Sequence, residues 1–284
     1  MTGMPKKFSF FDLFDVPPIS LVDVGAAPNI RAAFYQPLLD RGVARVTGFE
    51  PDGVAFAKLQ ARQSTAERYL RAVVGDGTPG TFYKTSARFT SSLYEPNQEL
   101  CDSFKAIAPL MKTMTINTVQ TQRLDDLIAD AEIDFIKLDV QGAELRVLKG
   151  APRLLPTTLL AEIEVAFVPL YKEQPLFADV DAYMRACGFY FHKFAQLTKL
   201  FYSPTTLETS PPGGQSQAVY ADAVYLPTLD AVDRLPRQRL LKLVGMLHDF
   251  YGSWDLCLHL LDRLRTRGYG APFQHYAAAV KAAA

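Results

Sequence analysis

The feature that most narrows what this chain can become is a repeated unit: a short apolar run that stops at an acid and is followed by a helical pattern. Residues 19–24 are one such run, with Asp23 and Gly25 at its end. Residues 45–49 are a second, closed by Glu50-Pro51-Asp52, and residues 133–138 a third, closed by Asp139. Runs this short and this apolar read as strands buried on both faces. Helical stripes between them predict right-handed crossovers, and so a doubly wound, mostly parallel α/β sheet. Asn29 is placed to cap a first helix that carries Ile30, Ala33, Phe34, Leu38 and Leu39, with Pro37 set to kink or shorten it. Asp52 opens a second helix, over 52–63. Residues 69–74 form a strand stopped by Gly75-Asp76-Gly77.

Residues 81–121 interrupt this rhythm with a short strand, a polar loop (Thr90-Ser91-Ser92), a helix and an alternating strand over 114–119. It then resumes with a helix over 123–131, the strand at 133–138 and a helix over 143–149. A strand over 159–165 follows, then a helix over 180–187 stopped by Gly188, and strands over 189–194 and 218–226. Beyond Pro227, residues 236–250 and 253–267 read as two amphipathic helices, and the Ala-rich tail after Tyr276 as frayed. The expected division is a lead-in (1–18), an α/β unit (19–227) and a helical extension (228–284).

Composition trims the functional classes. With 30 basic and 30 acidic residues, the chain has no broad positive surface for nucleic acid. No apolar stretch approaches the roughly 20 residues of a membrane span. Cys101, Cys187 and Cys257 are odd in number and lack metal spacing, which reads as reduced thiols in a cytoplasmic protein that needs no metal.

In an open parallel sheet, ligands bind beyond the carboxyl ends of the strands, near the switch in strand order. Asp23, Glu50 and Asp139 fall at such ends, and Asp76 lies just past another. Gly25 lets the backbone approach a ligand closely. A carboxylate at Glu50 can accept both hydroxyls of a ribose. A dinucleotide would ask for G-x-G-x-x-G. Gly25-Ala26-Ala27-Pro28-Asn29 lacks the later glycines, and Pro28 removes an N–H donor, so a pyrophosphate is poorly served. A nucleoside without phosphate fits better.

Val22-Asp23-Val24-Gly25-Ala26, Gly48-Phe49-Glu50-Pro51 and, above all, the run Asp134-Phe135-Ile136-Lys137-Leu138-Asp139-Val140-Gln141-Gly142-Ala143-Glu144 resemble the FkbM family of methyltransferases. Leu148-Lys149-Gly150-Ala151, Glu162-Ile163-Glu164-Val165 and Leu170-Tyr171 extend the likeness over about 19–226. The resemblance implies a class I methyltransferase fold, Rossmann-like, with seven strands of which the last is antiparallel. It also implies S-adenosylmethionine as cofactor and O-methylation of a hydroxyl on a sugar, glycan or other small molecule. Carried over by position, Asp23, Gly25 and Ala26 line the methionine side, Glu50 and Pro51 hold the ribose, and Asp76 borders the adenine. Asp139 lies near the sulfonium and amino group. Asn29 departs from the family's glycine. Asp139-Val140-Gln141-Gly142 stands where enzymes that methylate base amino groups carry Asn/Asp-Pro-Pro-aromatic.

A hydroxyl acceptor benefits from a general base. Asp139, Glu144 and Glu164 are the leading candidates, with Glu162 and His192 behind them. Glu162 and Glu164 share a strand face because they are two apart, whereas Glu144 reads equally as a first-turn acid that favours the helix dipole. His192 reads as structural. Ser91 and Ser92 in the polar loop, and Tyr171, are candidate substrate contacts or plain packing. His248 and His259 read as solvated surface. Two rivals stay open: an NAD-dependent oxidoreductase, and a non-catalytic module that uses the C-terminal helices to bind a partner or form a homo-oligomer.

Overall fold

A computed structural model describes residues 8–28, 33–129, 132–205, 207–210 and 213–283. The apolar runs become β1 (Ile19–Val24), β2 (Ala44–Phe49) and β3 (Glu67–Leu70). Then come β4 (Pro79–Thr85), β5 (Thr113–Gln120), β6 (Phe135–Leu138), β7 (Leu160–Ala166), β8 (Phe189–Leu200) and β9 (Gln217–Pro227). Seven of them form one sheet in the order β3-β2-β1-β6-β7-β9-β8, while β4 and β5 pair apart as a small antiparallel sheet. β9 runs antiparallel to both β7 and β8, and the pairs from β3 across to β7 are parallel. The strand order turns back between β1 and β6, so the ends of these two strands flank the switch point.

The helices are α1 (Gln36–Asp40), α2 (Gly53–Gln60), α3 (Gln98–Cys101), α4 (Leu124–Leu127), α5 (Glu144–Lys149) and α6 (Phe177–Ala186). Four more close the chain: α7 (Leu229–Asp233), α8 (Arg237–Tyr251), α9 (Trp254–Thr266) and α10 (Gly270–Ala283). Strand alternation sorts the core into two faces. Ile19, Leu21, Phe135, Leu160 and Val224 pack with Leu38 of α1 and with Leu243, Leu247, Leu260 and Tyr276 of the last helices. Val22, Ile136, Ala161, Ile163 and Ala223 pack with Leu124, Val147, Leu148, Val180 and Met184. A third cluster, around Cys101, Phe104, Met111 and Tyr171, supports the segment between β4 and β5. Fully burying one such large apolar side chain contributes about 1.5–3 kcal/mol. The 228–284 helices therefore cover one sheet face and share its core.

Polar contacts fix that layer. Asp134, just before β6 and 1% exposed, accepts from the Ser20 N–H at 2.9 Å, Lys242 at 2.7 Å and Arg239 at 3.1 Å. The amino-terminal lead-in joins through Phe10 and Phe11, which lie against Gly245 of α8, where a Cβ would come within 2.3 Å of the Phe11 ring.

Several expectations are corrected. The first helix begins at Gln36, not near Asn29, and Pro37 sits in its first turn, where a missing N–H costs nothing. Asn29 and Ile30 lie outside the described residues. β3 ends at Leu70, and Val74 keeps only an isolated bridge to Gln122. The helix expected over 123–131 is the four-residue α4. Ile128 turns extended, and the Asp125 carboxylate binds the N–H groups of Arg153 and Leu154. The tail after Tyr276 is helical within α10, because Tyr276 is fully buried and anchors it. His248 is not solvated: it is fully buried, with Nδ1 2.9 Å from Tyr276 Oη and Nε2 3.1 Å from the Phe8 carbonyl. His259 is exposed, as expected.

Candidate functional site

A cavity of about 1090 Å³ opens at the carboxyl ends of β1, β2, β6 and β7, with Phe82, Lys84, Asn117 and Val119 of the β4–β5 sheet as one wall. Its rim along β2 holds Glu50, Pro51, Asp52 and Gly53. Burial pushes the Glu50 carboxyl up, against one N–H donor: Oε1 accepts from Asp52 N at 2.7 Å, and Oε2 has no partner among the described residues. Asp52 caps α2 through Val54 N and Ala55 N, both at 3.0 Å, and sits 3.5 Å from Lys84 and 3.7 Å from Arg88.

Gly25 lies at φ +88°. A Cβ there would stand 1.9 Å from the Asp139 carbonyl oxygen, so glycine is what lets the β1 loop lie against the β6 loop. Asp23 is 6% exposed; its Oδ2 accepts from Tyr35 Oη at 2.5 Å, and its Oδ1 is buried without a partner among the described residues. Burial raises its pKa, with Lys137 and Tyr35 opposing. Neither Asp23 nor Ala26 lines the cavity, whereas Gly25, Ala27, Pro28 and Pro51 do. Asp76 also stays out of it. Burial works against its charge, but Arg146 at 2.9 Å and Thr78 hold the carboxyl well below its ordinary range.

The register puts Asp23, Lys137 and Glu162 in one row across β1, β6 and β7, on one sheet face. Burial opposes the Lys137 charge, but Asp139, Asp23, Glu162 and Asp222 outweigh it and raise its pKa. Glu162 faces α8 and accepts from Tyr251 Oη at 2.8 Å; burial and then Asp222 push it up to about 7. It does not line the cavity.

Asp139, Glu144 and Glu164 do line it together. Asp139 has both oxygens engaged, Oδ2 with Lys137 Nζ at 3.2 Å and Oδ1 with Gln141 Nε2 at 2.9 Å. Glu144 Oε1 accepts from Val140 N at 2.8 Å and Gly142 N at 3.2 Å, which shapes the loop after β6; burial raises its carboxyl to about 7. Glu164 Oε2 accepts from Gln141 Nε2 at 3.0 Å, and Oε1 has no partner among the described residues. Burial, then Asp139, Glu144 and Asp222, push Glu164 well above the ordinary carboxylate range.

The substrate candidates separate. Ser91 and Tyr171 line the cavity and Ser92 does not. Ser92 Oγ donates to the Gln141 carbonyl at 2.6 Å, tying the polar loop to the β6 loop. Tyr171 Oη donates to the Thr90 carbonyl at 2.8 Å and faces Gln141 Oε1 at 3.2 Å. His192 sits away from the cavity, 2.9 Å from Ser253 Oγ, with its pKa lowered by burial. Sequence reasoning missed Gln141 and Lys137 as site residues. Lys137 was findable, since it stands two positions before Asp139 on one strand face.

A seven-stranded sheet in this order, with one antiparallel strand next to the edge and a cavity at its switch point, is the class I methyltransferase arrangement. The model of the methyltransferase FkbM domain matches residues 23–191, more than half of the chain, and the protein belongs to that family. No curated protein matches. Among solved structures, a candidate methyltransferase from Thermoplasma acidophilum is 12% identical, with 75% of this chain and 70% of that one covered and a TM-score of 0.36. A second candidate, from Thermobifida fusca YX, is 11% identical over 77% of each chain, with a TM-score of 0.37. A SAM-dependent methyltransferase from Aquifex aeolicus is 12% identical over 79% of this chain and 94% of that one, with a TM-score of 0.30.

Proposed function

We propose that this protein is an S-adenosylmethionine-dependent O-methyltransferase acting on a hydroxyl of a small molecule or glycan. The reading rests on the division of work among three carboxylates at one cavity. Asp139 is engaged at both oxygens and Glu144 clamps a loop, while Glu164 keeps Oε1 free of any partner among the described residues. Bound S-adenosylmethionine supplies an electrophilic methyl group on sulfur; the protein supplies binding and alignment.

The residues present suit that cofactor. Glu50, on the cavity rim, has one carboxylate oxygen without a partner among the described residues to offer a ribose hydroxyl, and Gly25, Ala27 and Pro51 line the cavity with it. Ala72, Val73 and Val74 suit an adenine border better than Asp76, which Arg146 already holds. Glu164 would take the acceptor hydroxyl's proton, and its raised pKa favours that uptake. A base of this kind contributes roughly 10²–10⁴-fold, and alignment roughly 7–11 kcal/mol. Ser91 and Tyr171 would meet the acceptor. Residues 19–227 carry the chemistry, with 228–284 as their support. Three free cysteines suit a cytoplasmic setting.

The test is transfer of a labelled methyl group from S-adenosylmethionine to a panel of hydroxylated acceptors. The wild-type protein is expected to label at least one, and Glu164→Gln to lose that transfer while still binding S-adenosylhomocysteine. Undiminished transfer by Glu164→Gln would remove Glu164 from the role of base.

A further inference from the structure

One residue joins the parts of this site, and it carries no charge. Gln141 donates from Nε2 to Asp139 Oδ1 at 2.9 Å and to Glu164 Oε2 at 3.0 Å. Its Oε1 faces Tyr171 Oη at 3.2 Å, and its carbonyl accepts from Ser92 Oγ at 2.6 Å. A primary amide has two N–H donors on one nitrogen, and here each is used on a different carboxylate. Turning the amide over would set Oε1 against two carboxylate oxygens, Asp139 Oδ1 and Glu164 Oε2, and lose both N–H donors to them. The backbone holds this arrangement at a cost: Gln141 has φ +57°, in the left-handed region that non-glycine residues rarely enter. Gly142 continues the turn at φ +96°. Strain of this sort persists where surrounding contacts over-determine it, and such residues cluster at functional sites.

We propose that Gln141 is a positioning residue: its amide bridges Asp139 and Glu164, fixes their spacing, and keeps Glu164 an acceptor with Oε1 turned to the cavity. The inference rests on the reading of Glu164 as base, and it adds what holds that base ready. Without the bridge, the groups facing Glu164 act mainly one way. Asp139 at the end of β6, Glu144 at the start of α5 and Asp222 on β9 all disfavour its ionised form, and among the described residues Lys137 on β6 opposes them. Tyr171, in the loop after β7, and Tyr220, on β9, stand close enough to feel its charge. A donor aimed at Oε2 stabilises the ionised carboxylate, so its loss moves the titration midpoint upward.

The experiment is a carbon-13 NMR titration of the full chain with labelled glutamate side-chain carboxyls, the Glu164 resonance being identified by its loss in Glu164→Gln. Two variants are compared with wild type. Gln141→Asn keeps an amide and a side chain that tolerates left-handed backbone, but is one methylene short of the bridge. Gln141→Gly removes the amide and relieves the backbone, which guards against misfolding. Both are expected to raise the Glu164 midpoint by about one pH unit or more, the scale set by losing one hydrogen bond to a charged group. The Glu162 midpoint, on a carboxyl that Gln141 does not touch, is expected to stay. An unchanged Glu164 midpoint in both variants, or an equal shift at Glu162, would overturn the proposal. The titration reads the carboxyl whether or not methyl transfer occurs. A failure of Glu164 as base therefore shows in the transfer assay and a failure of Gln141 here.

Discussion

The two ends of β6 handle buried charge in opposite ways. Before the strand, Asp134 is matched: one carboxylate meets Lys242, Arg239 and a backbone N–H, all within 3.1 Å. After it, the balance is reversed. Among the described residues, Lys137 is a single ammonium amid Asp23, Asp139, Glu162 and Asp222, with Glu164 beyond. The matched end joins α8 to the sheet. The unmatched end carries raised carboxyl pKa values, an Asp23 oxygen without a partner among the described residues, and a cavity. Crowded carboxylates cost stability, and that cost persists in natural proteins mainly where the groups have chemistry to do. On the proposed reading, the difference separates a charge kept for architecture from charges kept for use.

The largest expected effect breaks the functional end. Glu164→Gln should lower methyl transfer roughly 10²–10⁴-fold on any acceptor the labelled-methyl screen returns, without loss of thermal stability, since it removes a buried carboxylate. Asp134→Ala should do the reverse. Removing one partner of a buried pair typically costs about 3–5 kcal/mol, which denaturant unfolding would read, while S-adenosylhomocysteine affinity of the folded protein should hold.

Glu162 sharpens the comparison through pH. Its folded pKa is raised from 4.5 to about 7, so the native state holds a proton that the unfolded chain has lost. The resulting stabilisation is full below about pH 4.5 and is lost as pH rises through 7. At 1.36 kcal/mol per unit, the loss is about 3 kcal/mol. Glu162→Gln should flatten that part of the stability curve between pH 5 and 8, and an unaltered curve would show that Glu162 does not titrate there. The smallest effect is Tyr276→Phe, which removes the hydroxyl 2.9 Å from His248 Nδ1. It should cost about 0.5–1.5 kcal/mol and leave cofactor binding untouched.

How far the sequence could be read follows the same division. The strand-end acids were legible because a short apolar run that stops at Asp or Glu is a local pattern, and β1, β2 and β6 fell within a residue or two of expectation. Asp134 was visible only as a letter in a motif, since its partners sit more than a hundred positions away on α8. Gln141 was likewise visible only as a letter in that motif: its left-handed backbone and two-carboxylate bridge exist only after β6, β7 and the loop holding Tyr171 have met. His248 was misjudged because a polar side chain within an amphipathic stripe looks solvated until Tyr276 arrives to pair with it. The third terminal helix was missed because its buried and half-buried stripe, Phe273, Tyr276, Val280 and Ala283, runs into an Ala-rich stretch with few large apolar side chains to mark it.

The central claim is tested most directly by calorimetric titration with S-adenosylmethionine and S-adenosylhomocysteine, with NAD as control and Glu50→Ala alongside. Micromolar binding of a sulfur nucleoside is expected, with none for NAD. The variant should bind at least about tenfold more weakly, as the loss of a hydrogen bond to a charged group implies. No binding of either sulfur nucleoside by the folded protein, or equal binding by Glu50→Ala, would contradict the account.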